Sequence, residues 1–368
     1  MLEAGELAAW LRLLATPGVG RQAARSLLAT FGPPEQVFAA SELQLRTAAG
    51  ALSSALLTAP EDLPAQVDAV RRWLGEDSRR SIITLADPAY PPLLLQTADP
   101  PLLLYLQGRA ELLRASSIAI VGSRNPSPSG RENAREFAAH FSRQGLTVVS
   151  GMAAGIDGAA HEGALEGPGS TVAIVGTGID RVYPKRHLQL AHRIAEQGLM
   201  VSEFPLGTHP LPENFPQRNR IIAGLSLGTL VVEAAVQSGS LITARQAAEM
   251  GREVFAIPGS IHAPQARGCH ALIKQGAKLV EGADDVLEEL RLPLPANDSP
   301  SDAPNCAPAT GSEDPLLAAV GHDPVTLDAL VARTGWPPQQ LGARLLELEL
   351  EGRVVRLPGG LFQRRGAG

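Results

Sequence analysis

Glycine, a hydroxyl side chain and a cation recur together along the middle of this 368-residue chain. Gly122-Ser123-Arg124 opens the series, and Gly151 heads the run Gly-Met-Ala-Ala-Gly-Ile-Asp157. Gly176 to His187 carries Lys185 and Arg186, and Arg218-Asn219-Arg220 comes next. Ser238-Gly239-Ser240 then runs on to Thr243 and Arg245, and Pro258-Gly-Ser260 closes the series. Glycine lets backbone N–H groups close on an anion, and helix N-termini add partial positive charge. This pattern favours holding a phosphate. The cations Arg124, Lys185, Arg218, Arg220 and Arg245 are expected to converge on one rim.

Short, nearly continuous apolar runs precede these stretches: Ile118–Val121, Thr147–Ser150, Val172–Val175, Met200–Ser202, Thr229–Glu233 and Glu253–Ile257. Such runs suit parallel strands covered on both faces. Between the first two, Ala134, Phe137, Ala138 and Phe141 fall at i, i+3, i+4 and i+7, the apolar stripe of one helix, with Gly145 placed to end it. The alternation then repeats. The expected fold class is α/β, a central Rossmann-like, doubly wound, mainly parallel sheet. In such a sheet the ligand sits beyond the carboxyl ends of the strands, where the glycine-rich stretches fall.

At about 100–200 residues per domain the chain has room for two or three domains. Residues 1–80 read as helical: Glu6–Ala15, the turn Thr16-Pro-Gly-Val-Gly20, then Arg21–Phe31 closed by Gly32. This resembles a SAM/helix-hairpin-helix-like module whose turn amides meet a DNA phosphate, and equally a plain helical hairpin. The expected boundaries give that helical domain over 1–80 and the Rossmann-like domain over 81–291. A flexible linker rich in Pro, Ala, Ser and Asp is expected over 292–312. The tail, 313–368, places Leu327, Leu330 and Val331 on one helix and Leu341, Leu345, Leu346 and Leu348 on the next. A hairpin turning at Pro358-Gly359-Gly360 follows, so a winged-helix-like domain is expected. Its arginines do not outnumber its carboxylates, which leaves a protein-contact role open beside duplex binding.

Hydrophobic residues make up 44% of the chain and charged ones 19%, as in an ordered globular protein. No apolar run reaches the ~18 residues of a membrane span, and no basic flank precedes an apolar stretch at the start. Neither a span nor a secretory signal is expected. Cys269 and Cys306 are the only cysteines, which excludes a disulfide scaffold and a CxxC zinc site and suits a reducing cytoplasm. The net charge of −6 excludes a globally basic coat, so a polyanion site must be a local cluster.

The phosphate ligand is narrowed by what is missing. The nearest GxGxxG match, Gly176-Thr-Gly-Ile-Asp-Arg181, puts Arg at the third glycine and follows a later strand, which argues against NAD. GxxxxGK[ST], GxSxG and HExxH are all absent, and His161 and His187 read as structural. No cofactor, metal site or catalytic residue is expected.

Several long runs then match one family. They are Val121-Gly-Ser-Arg124, Ser150-Gly-Met-Ala-Ala-Gly-Ile-Asp-Gly-Ala-Ala-His161 and Tyr183-Pro-Lys185. Phe215-Pro-Gln-Arg-Asn-Arg-Ile-Ile-Ala-Gly-Leu-Ser226, Glu233-Ala-Ala-Val-Gln-Ser-Gly-Ser-Leu-Ile-Thr-Ala244 and Ile257-Pro-Gly-Ser260 complete the set. Together they resemble the DprA/Smf family of DNA-processing proteins over about residues 81–290, and the flanking modules fit that family's end domains. The resemblance implies a cytoplasmic homodimer that binds single-stranded DNA, protects it during transformation and helps load the recombinase RecA. It implies principal phosphate contacts at Arg124 and Lys185, and support from Arg218 and Arg220. Ser238, Gly239, Ser240 and Thr243 would supply short hydrogen bonds. The segment Gly268-Cys-His270 departs from the family's GxN pattern by placing His at the Asn position.

Aromatic residues are only 4% of the chain, so backbone contacts are expected to dominate over base stacking. Two other readings remain. Gly224-Leu-Ser-Leu-Gly-Thr-Leu-Val-Val-Glu233 resembles the PGGxGTxxE loop of nucleotide phosphoribohydrolases, without the PGG and with Glu233 one residue late. A protein adaptor with no DNA contact is the other.

Overall fold

The computed structural model describes residues 3–291, 314–321, 324–357 and 360–364. The linker expected over 292–312, and the Pro358-Gly359 pair of the expected turn, lie outside the described residues.

The first helices are α1 (Ala4–Ala15), α2 (Arg21–Phe31), α3 (Pro34–Ala39), α4 (Glu42–Ala49), α5 (Ser53–Leu57) and α6 (Leu63–Glu76). Gly32 ends α2 at φ +89°, a left-handed backbone that suits glycine. A Ser41–Gln44 capping box starts α4. In the turn between α1 and α2, the Val19 amide donates to Thr16 and that of Gly20 to Gly18. Both amides are therefore engaged within the turn.

The sheet follows. Its strands are β1 (Arg80–Thr84), β2 (Leu103–Gly108), β3 (Ser117–Val121), β4 (Thr147–Ser150), β5 (Thr171–Ile174), β6 (Leu199–Ser202), β7 (Gly228–Val231), β8 (Glu253–Ala256) and β9 (Lys278–Leu279). The order is β1-β2-β6-β5-β4-β3-β7-β8-β9, parallel from β6 through β9, with β1 and β2 added antiparallel at one end. All six expected strands are present to within two residues at their ends. Strand β2 is not among the expected strands although Leu102–Leu106 is a continuous apolar run, whereas β1 and the two-residue β9 carry no such run. The helices of this layer are α7 (Pro92–Leu95), α8 (Pro128–Arg143), α9 (Ile156–Ala164), α10 (Leu188–Gln197), α11 (Asn214–Leu225), α12 (Ser240–Glu249), α13 (Arg267–Lys274) and α14 (Ala283–Glu289).

Burial explains the arrangement. Strands β3 to β7 are buried at every residue, as continuous apolar strands require when helices cover both faces. The stripe on α8 packs inward through Ala134, Ala138 and Phe141, with Phe137 partly buried. The N-terminal helices share a core with the sheet layer, in which Trp10, Leu13 and Trp73 join Tyr105 and Ile194. Trp73 and Tyr105 meet edge to face at 5.9 Å. The boundary expected near residue 80 falls between α6 and β1, and both sides belong to one compact unit.

The C-terminal unit comprises α15 (Pro315–Val320), β10 (Val325–Thr326), α16 (Leu327–Thr334), α17 (Pro338–Leu350), β11 (Val354–Leu357) and β12 (Leu361–Arg364). Its sheet order, β10-β12-β11, and its helix–helix–hairpin sequence make a winged helix. Leu330, Leu341, Leu345 and Leu348 form its core, whereas Leu346 is 56% exposed. Among the described residues no helix is long and apolar enough to cross a membrane.

Candidate nucleic-acid interface

The sheet reverses its winding between β3 and β7. From β3 the chain crosses to β4 on one side, and from β7 to β8 on the other, so the loops leaving these neighbouring strands diverge and leave a crevice. A cleft of about 520 Å³ lies there. Gly122, Ser123 and Arg124 line it from the end of β3. Ser238, Gly239, Ser240 and Thr243 line it from the start of α12, whose N-terminal dipole favours an anion. Arg218 and Asn219 of α11 complete the wall.

A smaller cleft of about 170 Å³ shares Arg124 and Arg218 and adds Gly151, Tyr183 and Arg186. Phe215 of α11 lines both clefts. The Arg124 guanidinium lies 5.7 Å from the Phe215 ring centre, and the Tyr183 ring lies 5.6 Å away on that aromatic. Arg124 is exposed and Tyr183 is 47% exposed. A cation–aromatic platform therefore separates the two clefts, where the low aromatic content suggested few rings. Both aromatics lie within motifs legible in the sequence. Only the fold shows that they meet.

Arg218 is buried at 4% exposure beneath the platform. Its guanidinium donates to the carbonyls of Gly151 and Ile174, at the ends of β4 and β5, and its Nε to Asn219 at 3.0 Å. Burial pulls its pKa down to about 10, so it stays charged at neutral pH. Burial pushes the Asp157 carboxyl up, opposed by the charge of Arg218. Asp157 accepts the Ala153 amide at 3.2 Å and so organises the loop from Gly151 into α9. Sequence reasoning left this carboxylate without a role.

The other expected cations are placed differently. Lys185 is exposed on the single turn Lys185–His187, outside the lining of both clefts but beside Pro184 and Arg186, which line the smaller one. Arg245 is exposed on α12 and lines neither cleft. Arg220 does not reach the rim. It is buried, pairs with Glu203 and Asp99, and donates to the Asp99 carbonyl. Of the five cations expected to converge, the clefts thus gather Arg124 and Arg218, joined by Arg186, while Arg220 faces the opposite side of α11.

Glu233 is half-buried and lines neither cleft, and its carbonyl accepts the Ser123 amide at 2.7 Å. His270 accepts or donates at the Gly259 backbone, with Nε2 3.0 Å from that carbonyl. Among the described residues no group of His, Cys, Asp or Glu is placed to hold a metal.

His161 is fully buried, with Nδ1 2.7 Å from the Thr171 hydroxyl. That hydroxyl donates to Val148, so it accepts from His161 and fixes the proton on Nδ1. Burial, with repulsion from His187 and Arg218, lowers the ring's pKa from 6.5 to about 3. The unfolded ring therefore binds a proton that the folded one refuses. Its contribution to stability is whole above pH 6.5 and falls as pH drops toward 3, by at most about 1.4 kcal/mol per unit. Urea unfolding at about pH 7.5 and about pH 5 should show this loss in the wild type and a shallower one in His161→Gln. Equal pH slopes in the two proteins would refute the assignment.

Residues 81–291 match the family model described as DNA recombination-mediator protein A. The chain belongs to the DprA/Smf family. The DprA winged helix domain model matches residues 299–360. Protein Smf of Escherichia coli (strain K12) is 44% identical over 300 residues, covering 80% of each chain. DNA processing protein DprA of Streptococcus pneumoniae is 46% identical over 206 residues, 56% of this chain and 73% of its own. The X-ray structure of DNA processing protein A from Streptococcus pneumoniae superposes with a TM-score of 0.67 at 36% identity, covering 78% of this chain and 98% of that one. A Helicobacter pylori DNA processing protein A, described for its single-stranded DNA binding mode, superposes with a TM-score of 0.53 at 28% identity. It covers 58% of this chain and 97% of its own. Membership of this DNA-processing family gives the cleft its context: the shared region, 81–291, contains every residue that lines it.

Proposed function

We propose that this DprA/Smf chain binds single-stranded DNA along the paired clefts, protects it and promotes RecA loading, as a cytoplasmic homodimer without catalysis. The observation that carries the DNA reading is the exposed Arg124 guanidinium over Phe215, between a hydroxyl-lined helix N-terminus and the turn of Lys185 and Arg186. Arg124, Lys185 and Arg186 would hold phosphates, with Arg245 farther along α12. Gly122, Ser123, Gly151, Asn219, Ser238, Gly239, Ser240 and Thr243 would supply the short contacts. Phe215 and Tyr183 offer faces on which bases stack without sequence preference. Buried Arg218 shapes the floor and lends its charge. The homologous protein described for single-strand binding supports the same ligand here. RecA loading, homodimerisation and a cytoplasmic role in transformation rest on the family resemblance.

The placement of Glu233 outside both clefts weighs against glycosidic-bond cleavage. In the winged helix, α17 carries Glu347 and Glu349, and its Arg344 pairs with Asp314 and Glu347 at 2.6 Å each. That charge pattern disfavours a duplex backbone and favours a protein contact for the C-terminal unit.

Fluorescence anisotropy of a labelled single strand across a salt series tests the reading. Lys185→Ala and Arg124→Ala should each weaken binding and flatten the salt slope by ~0.7 for each phosphate no longer neutralised. Phe215→Ala should cost about 1–3 kcal/mol with the slope unchanged. A flat wild-type titration, or binding unaltered in all three variants, would overturn it.

A further inference from the structure

One face of α11 lines the clefts: Phe215, Arg218, Asn219 and Ile222, at i, i+3, i+4 and i+7. The other face carries Gln217 and Arg220 and meets the N-terminal helices. Arg21 of α2 lies 2.8 Å from Asp99 through Nε. Its Nη1 is 3.6 Å from Glu203 and donates to Gln217 at 3.3 Å. Arg25, one turn on, pairs with Asp99. Arg220 Nε lies 3.2 Å from Asp99, and its Nη2 pairs with both Glu203 oxygens. Glu203 and Arg220 are 11% and 8% exposed at their side chains, so that central pair is little screened, while Arg21 and Asp99 at 34% and 32% lie nearer solvent. Three guanidinium groups thus share two carboxylates, and one of the three belongs to the cleft helix. The cations of α2 are engaged in holding that helix.

We infer that Arg21 and Arg25 are positioning residues for the single-strand site: through Asp99, Glu203, Gln217 and Arg220 they fix α11, and with it Phe215 and Arg218, against the ends of β4 and β5. The inference rests on the single-strand reading for its consequence and on geometry alone for its mechanism. It gives the N-terminal helices a share in the site without a DNA contact of their own. Near the first turn of α11, Phe215 packs over Gly176, where a Cβ would lie 3.0 Å from the ring. A small rotation of the helix therefore alters the platform directly.

The test uses the full chain with a fluorine label on the Phe215 ring, in wild type, Arg21→Ala/Arg25→Ala and Arg21→Lys. In the free protein the 19F resonance should shift or broaden in the double variant while the melting temperature stays within a few degrees. An unchanged resonance would overturn the positioning role whatever the DNA result. With a labelled single strand, the double variant should bind about tenfold more weakly with the wild-type salt slope. A slope reduced by ~1.4 would instead make both arginines phosphate contacts and overturn the inference. Lysine keeps the charge but cannot reach Asp99, Glu203 and Gln217 at once, so Arg21→Lys should share part of the defect. Full restoration by Arg21→Lys would point to simple charge and count against positioning. If the wild type binds no single strand, the functional reading fails, and the fluorine resonance still decides whether α2 sets the pose of α11.

Discussion

Arg218→Ala is expected to cost the larger unit about 3–5 kcal/mol, the penalty of leaving a buried charge without its partner. The buried Asp157 would lose the opposing charge, and the carbonyls of Gly151 and Ile174 would lose their donor. Urea unfolding in a Trp336→Phe background reads this unit through Trp10 and Trp73, which share its core. A second variant separates charge from packing. Asp157→Asn combined with Arg218→Ala should recover part of the loss, because the stranded carboxylate is gone. If Arg218→Ala costs under about 1 kcal/mol, the guanidinium is not the keystone its contacts describe. The same variant should also lose single-strand binding, since Phe215 and Asn219 flank it on the same helix.

The sheet was legible because its strands are buried on both faces and so read as continuous apolar runs. Its carboxyl edge was legible because glycines, hydroxyl side chains and cations recur together after successive strands, although several of those glycines also serve close packing, as Gly122 and Gly155 do. The antiparallel β1 and β2 were not, since Arg80–Thr84 holds only two apolar residues and the apolar run Leu102–Leu106 stands between Pro100-Pro101 and Gly108, outside the strand–helix alternation. Arg220 shows where residue type misleads. In the sequence it stands two residues from Arg218 with the same chemistry. On a helix two residues subtend about 200°, so the pair points to opposite sides. One arginine then lies under the cleft and the other among Glu203 and Asp99. Phe215 went unused for the opposite reason: a composition argument counts rings, and the site needs only two that meet.

Two glycines with nearly the same φ should respond very differently to one added methyl group. Gly155 at φ +85° begins α9, and a Cβ there would lie 2.4 Å from the Ser123 carbonyl oxygen and 2.8 Å from the Arg124 carbonyl carbon. Gly145 at φ +80° follows α8 and would meet nothing within 4 Å. Gly145→Ala carries a positive-φ penalty of about 1–2 kcal/mol, and Gly155→Ala, at φ +85° and ψ −121° outside the left-handed helical region, costs about 1–3 kcal/mol in backbone strain. Only Gly155→Ala must also push backbone aside, adding about 1–3 kcal/mol. The backbone it pushes is the segment that carries Ser123 and Arg124 into the cleft, and the Ile156 amide donates to that same Ser123 carbonyl at 3.1 Å. Gly155→Ala should therefore weaken single-strand binding by about tenfold or more, as loss of a phosphate-binding arginine would. Gly145→Ala should leave affinity unchanged and cost only its positive-φ penalty. Anisotropy and urea unfolding on the two variants side by side decide it. Equal affinities would mean that the Ser123–Arg124 segment yields freely, and that its position is not what sets the site.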